Sequence, residues 1–166
     1  KKDELTINGN GSVILQDNVD ELSYLIVKKG DAYKFKSNLK IKENPFEISF
    51  IDYKKIKKNN ATINIEGSRK QNLTSFNVLS FKEEKNIFKI NNLILDDKFK
   101  IKDFKKVEIN YLDQKDISNK YSVIKKKDVY QLSGSTFNAS NLLEDIINNE
   151  NKSDIIDKNF KLQIKI

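Results

Sequence analysis

The side chains in this sequence that could do chemistry are carboxylates and lysines. Cysteine and histidine are absent, as are methionine and tryptophan. That removes thiol nucleophiles, disulfides, imidazole general bases and the soft or imidazole ligands on which most transition-metal sites are built. Carboxylates could still act as an acid pair of the kind that hydrolyses glycosides. No two of them stand in a recognisable catalytic context, so no catalytic residue, metal ligand or cofactor is assigned and the chain is read as non-catalytic.

Lysine is the other reactive type. The formal net charge is +7, which raises the possibility of a polyanion partner. Arg69 is the only arginine, and lysine, a point charge, reads neither guanine edges nor phosphates in a bidentate way. The lysines also interleave with apolar residues, as in Tyr33-Lys34-Phe35-Lys36, where a nucleic-acid site would cluster them. They read as the solvated face of strands, with weak attraction to anionic lipid headgroups as a further possibility, and no nucleic-acid partner is expected.

The elements that must position these residues are strands. Phe46, Ile48 and Phe50 alternate with polar residues; so do Ile63 and Ile65, and Val107, Ile109 and Tyr111. Each is the period of a strand with one wet and one dry face. Residues 22–27 and 32–41 read as a hairpin turning at Gly30, closed by Asn44-Pro45 because proline has no amide proton to give a ladder. Further strands are expected over 3–8, 12–16, 73–81, 86–91, 98–101, 121–125, 129–133 and 160–166, joined by short polar turns as an antiparallel meander. Several expected strands end at a glycine, in Asn8-Gly9, Glu66-Gly67 and Ser133-Gly134, which reads as shared turn chemistry.

One segment breaks the period. Leu142, Leu143, Ile146 and Ile147 recur at helical spacing, Asn138 suits an N-cap, and Phe137 with Leu142 has the spacing of a hydrophobic staple. A short helix is therefore expected over 138–148, either plugging an open end or edge of the sheet or gating a ligand. Residues 149–158 read as a polar linker and 159–166 as the first strand of a further section. The whole, 1–166, is expected to be one β-rich segment of a longer protein, since it opens without methionine. No apolar run approaches the roughly 20 residues that cross a bilayer as a helix.

With 37% hydrophobic and 33% charged residues, the composition suits thin sheets better than a thick sandwich. The apolar row, comprising Ile48, Phe50, Ile63, Ile65, Phe76, Val78, Ile109 and Tyr111, then needs a partner. That partner is either a second apolar face, as in a structural or adhesive β-sandwich, or a ligand.

The succession Phe88-Lys89-Ile90-Asn91-Asn92-Leu93-Ile94-Leu95, Val107-Glu108-Ile109-Asn110-Tyr111, Val129-Tyr130-Gln131-Leu132-Ser133-Gly134 and Ser135-Thr136-Phe137-Asn138-Ala139-Ser140-Asn141-Leu142-Leu143 resembles the AsmA-like superfamily of bacterial envelope proteins, the YhdP and TamB groups among them. Asn138 stands where that pattern usually has Asp, and residues 160–166 look like the opening strand of the next section. The resemblance covers residues 45–166 and is a pattern of strand, glycine and helix, with no catalytic signature. It implies an elongated, curved antiparallel sheet, a taco-like β-groove whose apolar inside carries phospholipid acyl chains between membranes. It further implies a periplasmic protein held in the inner membrane by an N-terminal helix outside this segment, with neighbouring segments of the same chain continuing the groove.

Overall fold

A computed structural model describes residues 4–138, 140 and 162–165. The chain is mainly β, with 70% of residues in strands, and forms one large sheet that does not close. In chain order the strands are β1 (Glu4–Ile14), β2 (Val19–Lys29), β3 (Ala32–Ile41), β4 (Glu47–Ile48), β5 (Tyr53–Lys54), β6 (Ala61–Lys70), β7 (Leu73–Glu83), β8 (Asn86–Leu95), β9 (Ile101–Asp103), β10 (Lys106–Leu112), β11 (Ser118–Lys126), β12 (Val129–Thr136) and β13 (Leu162–Lys165). The large sheet runs β1-β2-β3-β6-β7-β8-β10-β11-β12-β13, with β9 attached beside β8.

Two-residue loops join β2 to β3, β6 to β7, β7 to β8 and β11 to β12, and each begins with a left-handed residue: Gly30 (φ 62°), Gln71 (φ 52°), Glu84 (φ 49°) and Lys127 (φ 55°). Loops this short need such a residue to match the twist of the flanking strands. Only Gly30 carried that signal in the sequence. At the other three turns the pairing of long strands imposes a conformation that the residue type does not favour.

The structure differs from the expected strand boundaries at the glycines. β1 runs unbroken through Gly9 and Gly11, because every residue from Glu4 to Ile14 finds a partner on β2. Gly67 and Gly134 do not end strands either; each sits where the register shifts by a bulge. The strand expected through Phe46, Ile48 and Phe50 is also different. Glu47–Ile48 pairs with Tyr53–Lys54 across a 3-10 turn, Ser49–Ile51, and makes a separate small flap. Asp52 (φ 55°) reverses the chain there.

The meander is antiparallel up to β12, but β13 pairs with β12 in parallel. A parallel pair needs a crossover of a dozen or more residues, and the chain between Thr136 and Leu162 is long enough. Save for Asn138 and Ser140, the helix expected over 138–148 lies outside the described residues, as does the linker over 149–158. Asn138 does accept the Ser140 backbone N–H at 3.2 Å through its side-chain oxygen.

Directly opposed residues share a face, and alternate residues along a strand share it too. One face is therefore apolar, through the row Leu39, Ile63, Phe81, Phe88, Ile109, Tyr121 and the neighbouring row Ile65, Leu79, Ile90, Val107, Val123, Leu132. The other is polar, through Asn10, Ser23, Asn38, Asn64, Ser80, Lys89, Glu108, Ser122 and Ser133.

Candidate functional site

The apolar face has a closed part and an open part. Around Ala61, Phe81, Phe88 and Tyr111, on β6, β7, β8 and β10, it is closed by the flap. Tyr53, 1% exposed, stands edge-on to Phe81 (5.4 Å), Phe88 (4.7 Å) and Tyr111 (5.9 Å), and Phe46 stacks on Phe81 at 4.6 Å. The Tyr111 hydroxyl donates to the Ile51 carbonyl at 2.6 Å. Ile48, Ile63 and Ile109 pack against the same cluster. A second patch closes around Leu93, Phe104 and Tyr130, with Phe104 and Tyr130 rings 4.6 Å apart.

Polar groups are buried where the flap meets the sheet, and each has its partners. Glu83, fully buried, accepts from the Tyr53 hydroxyl (2.5 Å), the Ile56 backbone N–H (2.9 Å) and the Asn86 side-chain amide (3.2 Å). Lys55, 3% exposed, donates to the carbonyls of Lys42, Ile56 and Lys57. Asn44 donates to Asp20 (2.8 Å) and to the Asn18 carbonyl (2.7 Å), tying the entry of the flap to the β1–β2 connection. Among the described residues no buried side-chain polar atom lacks a hydrogen bond. These contacts are a clamp: a buried charge without partners is costly, and satisfied partners fix one arrangement.

Sequence reasoning missed this clamp, though part of it was legible. Glu83 continues the apolar phase of Leu79 and Phe81, and Asp113 that of Ile109 and Tyr111. A carboxylate in phase with the dry face of a strand is the signal of a buried, hydrogen-bonded acid. Lys55 gave no such signal.

The phenols record the closure. Burial, with the charges of Asp113 and Asp52, pushes Tyr111 up to about 12. Burial also drives Tyr53 well above the ordinary phenol value, reinforced by the Glu83 bond, and raises Tyr121. For Asp103, burial acts upward but is outweighed by Lys125 (2.7 Å) and Tyr130 (2.6 Å), which hold it below the usual carboxylate value.

Toward β1 the apolar face is open. The row Ile7, Ile26, Phe35 crosses the sheet there and runs on through Gly67 and Phe76 to Leu93 in the second closed patch. Phe35 lies against Gly67, where an added Cβ would come within 2.8 Å of its ring, and meets Phe76 edge-on at 5.7 Å. Leu5 (55% exposed) and Ile7 (46%) stand on this face with Tyr24 and Tyr33, which are also exposed.

The expected apolar row is thus divided. Ile48, Ile63, Ile109 and Tyr111 lie in the flap-covered cluster, Ile65 is half-buried on the same face, and Phe76 packs beside the second patch. Phe50 falls in the 3-10 turn. Val78 is on the other face, opposite Glu66 and Asn91, because the bulge at Glu66/Gly67 puts Phe76 opposite Gly67 and switches the phase of β7.

The polar face carries lysines, among them Lys34, Lys36, Lys40, Lys82, Lys89 and Lys120. Its carboxylates are held in surface pairs: Lys36–Glu66 at 3.9 Å, Lys40–Glu21 at 3.2 Å and Lys106–Glu108 at 2.7 Å. Exposed pairs of this kind are worth about 0–1 kcal/mol each. A shallow cavity of about 640 Å³ opens on this face over β8, β10, β11 and β12, lined by Lys89, Glu108, Lys120, Ser122 and Ser133.

Fold and site together define an open antiparallel β-sheet protein with one apolar face, half covered by its own flap, and one lysine-rich face. No family model, curated protein or solved structure matches the chain. Among the described residues no cluster of three or more acidic side chains could hold a metal, and no helix is long and apolar enough to cross a membrane.

Proposed function

We propose that the open part of the apolar face is a non-catalytic bed for phospholipid acyl chains, in a segment of an AsmA-like envelope protein that moves phospholipid between membranes and maintains the outer membrane. On this reading the protein is periplasmic, anchored in the inner membrane by a helix outside this segment. Neighbouring segments continue the sheet as a curved β-groove, and the helix over 138–148 covers its end.

The observation that carries the reading is the row Ile7, Ile26 and Phe35. It lies on an uncovered face whose flanking Leu5 and Tyr24 are exposed to solvent. Each methylene of an acyl chain laid there leaves water for a gain of about 0.8 kcal/mol. Retention therefore needs no specific polar contact.

The flap favours a second reading. It dries the other half of the same face around Tyr53, as a self-contained structural or adhesive β-protein would. Photocrosslinking separates the two. Probes at Phe35 and Ile65 are expected to capture phospholipid while probes at Asn64 and Glu66, on the polar face, do not. Equal capture from both faces, or none from either in a folded protein, would leave the structural reading in its place.

A further inference from the structure

We propose that one end of the sheet docks on an anionic phospholipid surface, with Phe99 entering it. The end is the one where the β2–β3, β6–β7, β8–β10 and β11–β12 connections follow one another. The register brings them together: Ala32 pairs with Lys70, Thr74 with Leu95, and Lys106 with Ile124. All four connections lie wholly within the described residues.

Charge separates this end from the other. Counted with the two strand residues on either side, the connections here are 28–33, 69–74, 94–107 and 125–130. They hold twelve basic residues and five acidic ones. Those at the opposite end, 13–20, 40–62, 82–87 and 111–119, hold nine of each. The excess at the first end equals the whole formal net charge of +7. Glu4 adds one acid there and is paired with Lys29 at 3.8 Å.

Phe99 indicates what meets that charge. It is left-handed (φ 59°), 62% exposed, and stands between Lys98 and Lys100. A bulky side chain is strained in this region, where glycine sits freely. Asp96 holds the turn through backbone groups. Its side-chain oxygen accepts from the N–H groups of Lys98 and Lys100 at 2.9 Å each, and its carbonyl accepts the Phe99 N–H at 3.1 Å. An exposed ring at a strained position is the mark of a functional constraint. Leu73 and Tyr33, beside the neighbouring turns, are exposed as well.

Phosphate next to hydrocarbon fits this combination. A nucleic-acid backbone offers phosphates but no apolar layer for Phe99. At a bilayer surface aromatic rings settle at headgroup level, and lysine stems lie along apolar groups while their ammonium ends stay wet. Each lysine near an anionic bilayer contributes about fivefold in affinity.

The proposal does not rest on acyl chains occupying the open apolar face. A crosslinking probe at Phe35 reads that bed, whereas emission from position 99 reads this contact. The chain has no tryptophan, so Phe99→Trp gives a single reporter. Its emission is expected to shift to the blue on vesicles of phosphatidylglycerol and phosphatidylcholine in equal parts, and not on phosphatidylcholine alone. Leu112→Trp, at the exposed opposite end, is expected to stay unshifted on both. In cosedimentation with the mixed vesicles, added salt should release the chain, and Phe99→Gly should bind about tenfold more weakly. The same variant should melt no lower than the parent, because glycine relaxes the turn. Equal binding to both vesicle types, an unshifted Phe99→Trp or an equal shift of Leu112→Trp would each overturn the proposal. So would a Phe99→Gly that binds like the parent or melts below it, the latter making the ring structural. Tighter retention on polyuridylate than on the mixed vesicles would overturn it in favour of a nucleic acid.

Discussion

The Tyr53 hydroxyl donates to the Glu83 carboxylate at 2.5 Å, and this bond fastens the flap to the sheet it covers. The two residues are thirty apart in sequence and meet only because Asp52 reverses the chain onto the apolar face. Tyr53→Phe keeps the ring among Phe81, Phe88 and Tyr111 while removing one donor from a buried carboxylate. A hydrogen bond to a charged group is worth about 1.5–3 kcal/mol, and urea unfolding is expected to register a loss of that order. Glu108→Gln, on the polar face, is expected to leave the midpoint within about 0.5 kcal/mol of the parent. Equal midpoints for Tyr53→Phe and the parent would mean that this bond adds nothing to the closure made by the rings and the remaining hydrogen bonds.

Alkaline titration should reveal the same closure. Tyr53, Tyr111, Tyr121 and Tyr130 all have phenols raised by burial. A raised folded value means that the contribution is whole below the unfolded phenol value of about 10 and is lost as pH climbs through the folded one. Phenolate absorbance from these side chains is expected to lag past pH 10 and then rise together with loss of strand signal. A smooth titration near 10 in the folded protein would contradict their burial.

Acid should act through Asp103 and Asp113. Burial pushes both upward but is outweighed, at Asp103 by Lys125 and Tyr130, and at Asp113 by Asn138, the backbone N–H groups of Ile117 and Lys115, and Asn119. Their depressed values contribute stability that is complete above the unfolded value of about 3.9 and is lost as pH falls through the folded ones. Asp113→Asn is expected to flatten the fall in melting temperature below pH 4. An unchanged acid limb would remove Asp113 from the account.

The bulge at Glu66/Gly67 puts Phe76 and Val78, two residues apart, on opposite faces, and with them sets Leu79 on the apolar one. Val78→Thr, on the polar face, is expected to shift stability by no more than about 0.5 kcal/mol. Leu79→Ala, packed beside Leu93 and Phe104, is expected to cost about 2 kcal/mol or more. Thermal unfolding of the two variants tests the phase of β7. Equal costs would mean that Val78 and Leu79 are not divided between faces.

The limits of the sequence show at these same residues. Alternation in Ile63-Asn64-Ile65 and Val107-Glu108-Ile109 already separates a dry face from a wet one, because successive side chains on a pleated strand must point opposite ways. Gly30 marks its turn by the one residue type that takes a left-handed conformation freely.

Val78 defeated the same reasoning. Its alternation is interrupted by a bulge that exists only in the pairing of β6 with β7. The local pattern Phe76-Asn77-Val78 reads as one face whether or not that bulge forms. The flap escaped notice for a related reason. Phe46, Ile48 and Phe50 have the period of a sheet strand, and the choice between joining the sheet and folding over it depends on what Phe81 and Phe88 leave uncovered.

The sequence by itself therefore determined a mainly β chain with one apolar and one lysine-rich face, since these follow from residue type and a period of two. Only the tertiary structure decided which apolar residues are covered, where Glu83 and Lys55 find partners, and that β13 runs parallel to β12. Those outcomes depend on contacts between residues far apart in the chain. Such contacts form by closing long loops against chain entropy, and no local pattern records which of them succeed.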